Sequence, residues 1–159
     1  MEYAIESSEL DIEASSAADI RIAKADVSEC DIELSSAASV VASIKATECS
    51  IEAKSAAKAN VNLLVNNCEA KASSAADITL SGKAGTLNLE ASSAADIKAT
   101  DIDVMVGTIA DSSSGANIKV SAGKSLKAQA SSGGTVAYKS SHDLAIHMKK
   151  SSGGSVRQM

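Results

Sequence analysis

Ser73-Ser74-Ala75-Ala76-Asp77-Ile78 decides the reading of this chain, because versions of the same hexapeptide return along its whole length. SSAADI starts at Ser15, Ser73 and Ser92; SSAASV starts at Ser35 and SAAKANV at Ser55. SSSGANI, SSGGTV and SSGGSV start at Ser112, Ser131 and Ser151. That makes eight copies about 19 or 20 residues apart. A repeat of this length marks stacked units that share one continuous core, so the period has to be read before any single element.

Between copies, apolar residues alternate with polar ones. Leu10, Ile12 and Ala14 flank Asp11 and Glu13; Cys30, Ile32 and Leu34 flank Asp31 and Glu33. After each copy, Ile20 and Ile22 are followed in later units by Val40 and Ala42, Val61 and Leu63, Ile78 and Leu80, Ile97 and Ala99, Ile118 and Val120, and Val136 and Tyr138. Period two means strands with one buried face. A helix would want apolar positions three and four apart, and Ile-x-Ile puts them on opposite sides.

Short strands separated by corners and returning every 19–20 residues describe an all-β fold, a parallel β-helix (β-solenoid) of about eight coils. At the strand spacing of about 4.8 Å, eight coils make a rod roughly 38 Å long. Residues 1–159 then form a single β-solenoid domain. SSAADI is its corner, with Ser74 and Ala76 expected inward and Ser73, Ala75 and Asp77 outward. Ala or Gly is expected where walls approach closely, as at Gly115, Gly133, Gly134, Gly153 and Gly154. Asp19, Asp77 and Asp96, with Asn60 and Asn117, are placed to satisfy turn amides. The sixth coil, Met105 to Ala122, is irregular, with an extra residue expected at Asp111-Ser112-Ser113-Ser114-Gly115. One interior ladder is expected to run Leu10, Cys30, Cys49, Cys68, Leu87, to skip that coil, and to resume at Leu126 and Ile146.

Composition narrows the function classes. The chain is 45% hydrophobic with two aromatics, Tyr3 and Tyr138, and no Pro, so its interior is built from Ala, Ile, Val and Leu. A net charge of −5 argues against a nucleic-acid partner, which needs clustered Lys and Arg. No apolar run is long enough for a transmembrane segment. Met1 to Glu6 lack the basic start and apolar stretch of an export signal. The expected location is therefore extracytoplasmic if a signal precedes this chain, and cytoplasmic otherwise.

No catalytic, cofactor-binding or metal-binding residues are expected. Cys30, Cys49 and Cys68 lie nineteen apart, the length of a coil, and read as free buried thiols replacing Leu. They lack the paired spacing and neighbouring His of a zinc site. In-register side chains run parallel, which gives poor disulfide geometry. His142 reads as a linker residue, and His147 as an outward residue between Ile146 and Met148. Glu13, Glu33 and Glu52, continued by Lys71 and Glu90, form a vertical row beside Asp11 and Asp31. Carbohydrate-cleaving solenoids carry catalytic acids on such a face, but they surround it with long loops that this chain lacks. A solvated face, with Lys71 relieving the repulsion, is the simpler reading.

At the level of these motifs the chain resembles the GIN domain family of autotransporter adhesin heads, a Bacteroidetes-type family. SSAADI at Ser15, Ser73 and Ser92, Gly133-Gly134-Thr135-Val136-Ala137-Tyr138-Lys139, and Gly153-Gly154-Ser155-Val156-Arg157 carry the likeness. Corners of the first half depart from it by using Ala where the family favours Gly. The resemblance implies a right-handed parallel β-helix, a cell-surface or periplasmic place and a non-enzymatic adhesion or envelope-structural role, with no catalytic residues to carry over. A surface glycan or protein is the expected partner, with self-association through open coil ends as a further expectation. A second resemblance, to the bactofilins, implies a cytoplasmic structural polymer.

Overall fold

The computed structural model describes residues 4–140 and 143–159, and every regular element among them is a strand. The first coil carries β1 (Ala4–Glu6) and β2 (Glu9–Ala14), and the second carries β3 (Asp19–Asp26) and β4 (Glu29–Leu34). Four coils are each one long strand: β5 (Ser39–Ala53), β6 (Lys58–Ala72), β7 (Asp77–Ala91) and β8 (Asp96–Ser112). β9 (Asn117–Ala122) with β10 (Ser125–Ala130), then β11 (Thr135–Ser140) with β12 (Ala145–Lys150), form the next two, and β13 (Ser155–Gln158) starts another turn. All pairings are parallel. This is the β-solenoid of about eight turns that the period demands.

Each coil has two sides. In β5 the inward phase runs Val40, Ala42, Ile44, Ala46, then breaks at the exposed pair Thr47-Glu48 and restarts at Cys49. That break is the edge between the first side, residues 39–46, and the second, residues 48–53. The interior is a set of vertical ladders. One runs Ile20, Val40, Ala59, Ile78, Ile97, Ile118, Val136, Val156. Alternation suffices to build it, because a one-residue slip would turn every apolar side chain to solvent.

The corner is a four-residue turn closed by its own backbone. Ala76 N–H donates to the Ser73 carbonyl at 3.2 Å, and the same bond closes Ser15–Ala18, Ser35–Ala38 and Ser92–Ala95. The two central residues are left-handed, with φ of 55° at Ser74 and 64° at Ala75. A left-handed alanine or serine costs about 1–2 kcal/mol, offset here by a second ladder of backbone bonds. Ala17 N–H donates to the Ser36 carbonyl, Ala37 to Ser55, Ala56 to Ser74 and Ala75 to Ser93, at 3.0 to 3.1 Å.

These turns correct several expectations. Ser74 is exposed rather than inward, because two left-handed residues in succession break the strand alternation; Ala76 is buried as expected. The third corner is Lys54-Ser55-Ala56-Ala57, so the inward pair after it is Ala59 and Val61, not Val61 and Leu63. Its first position is exposed and accepts Lys as readily as Ser. The amides of the first, third and fourth turn residues donate to backbone carbonyls, as Ser73, Ala75 and Ala76 do. Asp19 and Asp96 instead accept bonds from the next coil, from Ser39 Oγ and Asn117 Nδ2, each at 3.0 Å. Asn60 lies within the strand, beside Val41 and Thr79.

The sixth coil is longer by two residues, 17 in β8 against 15 in β7, but not where the serine run suggested. Register shifts place one extra residue between Lys98 and Asp101 and another between Val104 and Gly107. The corner itself is the regular Ser113–Ala116 turn, and Ser112 is a buried strand residue whose Oγ donates to the Ala116 carbonyl at 2.7 Å. The cysteine ladder does not skip this coil, because Thr108 stands between Leu87 and Leu126.

Thr108 is 2% exposed and its Oγ1 has no hydrogen-bond partner. An unsatisfied buried hydroxyl costs about 1–3 kcal/mol. Thr108→Val keeps the shape and removes the hydroxyl, so it should raise stability by about 1 kcal/mol. Urea midpoints of the two proteins check this, and a lower midpoint for the valine variant would count against the inward placement.

Candidate binding faces

The outer face of the second side is built from three rows, one residue from each coil. The middle row runs Asp11, Asp31, Ser50, Glu69, Asn88, Ile109, Lys127, His147. On one flank stand Glu9, Glu29, Glu48, Asn67, Thr86, Gly107, Ser125 and Ala145; on the other, Glu13, Glu33, Glu52, Lys71, Glu90, Asp111, Gln129 and Lys149. The predicted glutamate row is therefore real, and it is one third of a wider surface. Acid dominates the first three coils and gives way to Lys127 and Lys149 in the last two.

Two ion pairs bridge this face along the strands, Lys54 Nζ to Glu52 Oε1 at 2.8 Å and Lys71 Nζ to Glu69 Oε1 at 3.0 Å. Hydrogen bonding to these glutamates holds both ammonium groups above the usual lysine range. Lys71 also lies in register between Glu52 and Glu90, so it does break the like-charge row. Exposed pairs of this kind contribute little to stability. Their effect is to keep stacked carboxylates compatible with a closed coil spacing.

Where the acid ends, the face becomes apolar. A shallow groove of about 710 Å³ is lined by Val106, Ile109, Leu126, Ile146, Lys127 and His147 among others. Val106 and Ile109 are 56% and 48% exposed, and Ile146 is 39% exposed. The sequence pattern missed this groove. Its signal is the inversion at Thr108-Ile109, where the polar residue takes the inward phase and the apolar one the outward phase. The inversion becomes readable only when the corner is framed on Ser113.

His147 does face outward, yet Ile146 and Met148 beside it are also exposed, because β12 pairs with β10 on one side only. His142 lies outside the described residues. The three cysteines are buried and free, in direct register. Among the described residues no three His, Cys, Asp or Glu side chains converge to hold one metal ion. No helix of the structure is long and apolar enough to cross a membrane.

No curated protein and no solved structure matches the chain. A family model described as "Putative auto-transporter adhesin, head GIN domain" matches residues 32–141, from the second coil to the eighth. The chain therefore belongs to the GIN domain family.

Proposed function

We propose that this chain is the recognition part of a cell-surface protein, a non-enzymatic solenoid that meets a surface glycan or protein through the outer face of its second side. One observation carries the reading: that face is continuous, and among the described residues only short turns border it. The corner at one edge is a tight four-residue turn, so nothing rises from it to close a cleft around a reacting bond. A flat, periodic surface suits an extended or repeating partner, with contacts repeated once per coil. The groove around Ile109 supplies the apolar contact that such a surface otherwise lacks.

Binding to immobilised glycans and to host-surface or envelope proteins tests this directly, with each glycan also assayed for cleavage. Ile109→Glu should weaken capture of a bound partner by tenfold or more and leave stability within about 0.5 kcal/mol, as for other exposed positions. Capture unchanged by Ile109→Glu moves the site off this face, and glycan cleavage overturns the non-enzymatic reading. Protease treatment of intact cells should remove the domain; protection of the chain until lysis would overturn its surface location.

A further inference from the structure

Cys30, Cys49 and Cys68 occupy equivalent positions on β4, β5 and β6, with Leu10 before them in the ladder and Leu87 after. All three are 3 to 4% exposed, and none is in a disulfide. Neighbouring strands of a sheet lie about 4.8 Å apart, so like side chains in register present their sulfurs at about that step. A cation held linearly between two sulfurs needs them two metal–sulfur bonds apart, about 4.6 Å if each bond is near the zinc–sulfur length of about 2.3 Å. The two lengths coincide. A disulfide needs the sulfurs at about 2.05 Å on converging side chains, whereas these run parallel.

We propose that the Cys30–Cys49–Cys68 ladder is a buried site for soft two-coordinate cations of the copper(I) and silver(I) class, one in each gap, with Cys49 shared between them. Such a site needs pairs of sulfurs and not the three convergent ligands that the described residues lack. Thiolate sulfur selects soft cations over calcium or magnesium. Two cations enter and three protons leave, so the ladder goes from three thiols to three thiolates and two cations, with one net negative charge shared by the three sulfurs.

Without metal the ladder is protonated. The Cys30 thiol is pushed up first by its hydrogen bond with Cys49 and then by burial. Contact with Cys30 lowers Cys49, but Cys68 and burial together outweigh it and leave Cys49 raised as well. Metal binding therefore competes with protons and strengthens as pH rises. Outside the same strands, Glu29, Asp31, Glu48 and Glu69 share a groove of about 410 Å³ with the three cysteines. Its negative potential raises the local cation concentration around these strands.

The test is a count. The full chain is refolded from denaturant with silver nitrate in chloride-free, thiol-free buffer and desalted, and silver per chain is measured by mass spectrometry. A variant with all three cysteines replaced by Ala serves as the blank, and circular dichroism confirms the fold. The expected counts are two for the native chain, one each for Cys30→Ala and Cys68→Ala, and none for Cys49→Ala. In Cys49→Ala the remaining sulfurs are two strand steps apart, about 9.6 Å, too far for one ion to bridge. Counts that follow the number of thiols, silver retained by folded Cys49→Ala, or none held by the native chain would overturn the proposal. Should Cys49→Ala not refold, Cys49→Val restores the lost volume and gives the same reading.

Discussion

Ile78→Asp is expected to abolish cooperative folding of the rod. Ile78 is 1% exposed and stands in the interior ladder between Ala59 and Ile97. Truncating such a side chain to alanine alone costs about 2–5 kcal/mol. The carboxyl adds a charge with no partner, which raises the cost further. A domain of this size has only about 5–15 kcal/mol to lose. The break also falls in the middle of the stack, where each coil is held chiefly by its neighbours, so coils on either side are uncoupled. Leu89→Asp, at 0% exposure on the other side of the same coil, should behave alike. Glu90→Lys is the control one residue away: it faces outward between Lys71 and Asp111 and should change stability by less than about 0.5 kcal/mol. Urea transitions followed by circular dichroism decide the matter, and equal effects of Leu89→Asp and Glu90→Lys would overturn the inward and outward assignment.

The ladders were legible because the physics that makes them is local and repeated. Ile78, Leu80, Leu87 and Leu89 all fall on the phase that alternation assigns, and the period alone stacks Cys30 on Cys49 on Cys68. The corner was legible as a corner but not in its conformation. Nothing in the letters Ser-Ala announces two left-handed residues, since those types ordinarily avoid that region and Gly or Asn is the usual mark. It is the inter-coil bond from Ala75 N–H to the Ser93 carbonyl that holds them there, and that bond exists only once the coils are stacked.

Frame errors arose where identity is free. Lys54 occupies an exposed corner position that places no demand on the side chain, so matching Ser55 to Ser15 shifted the third coil. The same loss of frame hid the groove. Both extra residues of β8 lie near the ends of its first side, before Gly107, and the serine run lies downstream of them. With the frame corrected, one face changes along its length from carboxylates through apolar residues to lysines. That gradient belongs to the stacking order of coils and not to any single motif, so no local pattern could display it.

Gly82→Ala is the second large effect, and it is sharpest against Gly115→Ala. Gly82 sits at an inward position between Leu63 and Ile102, with φ of 104°. A methyl group there would lie inside the van der Waals envelope of the Leu63 carbonyl oxygen, and that oxygen belongs to backbone that is itself paired in the stack. Strained backbone costs about 1–3 kcal/mol before any clash is counted, so the expected loss is about 3 kcal/mol or more. Gly115 has a similar sign of φ, 75°, but open space around it, and Ala75 already occupies the equivalent corner position at 64°. Alanine there pays about 1–2 kcal/mol for the left-handed region and recovers about 0.4–1 kcal/mol from a stiffer unfolded chain. Its net loss should stay near 1 kcal/mol or below. Left-handed backbone is common to both glycines, so a difference between their urea midpoints isolates the close approach of the coil beneath Gly82. Equal midpoints would mean that φ alone sets the cost, and that the spacing between neighbouring coils can relax around an added methyl group.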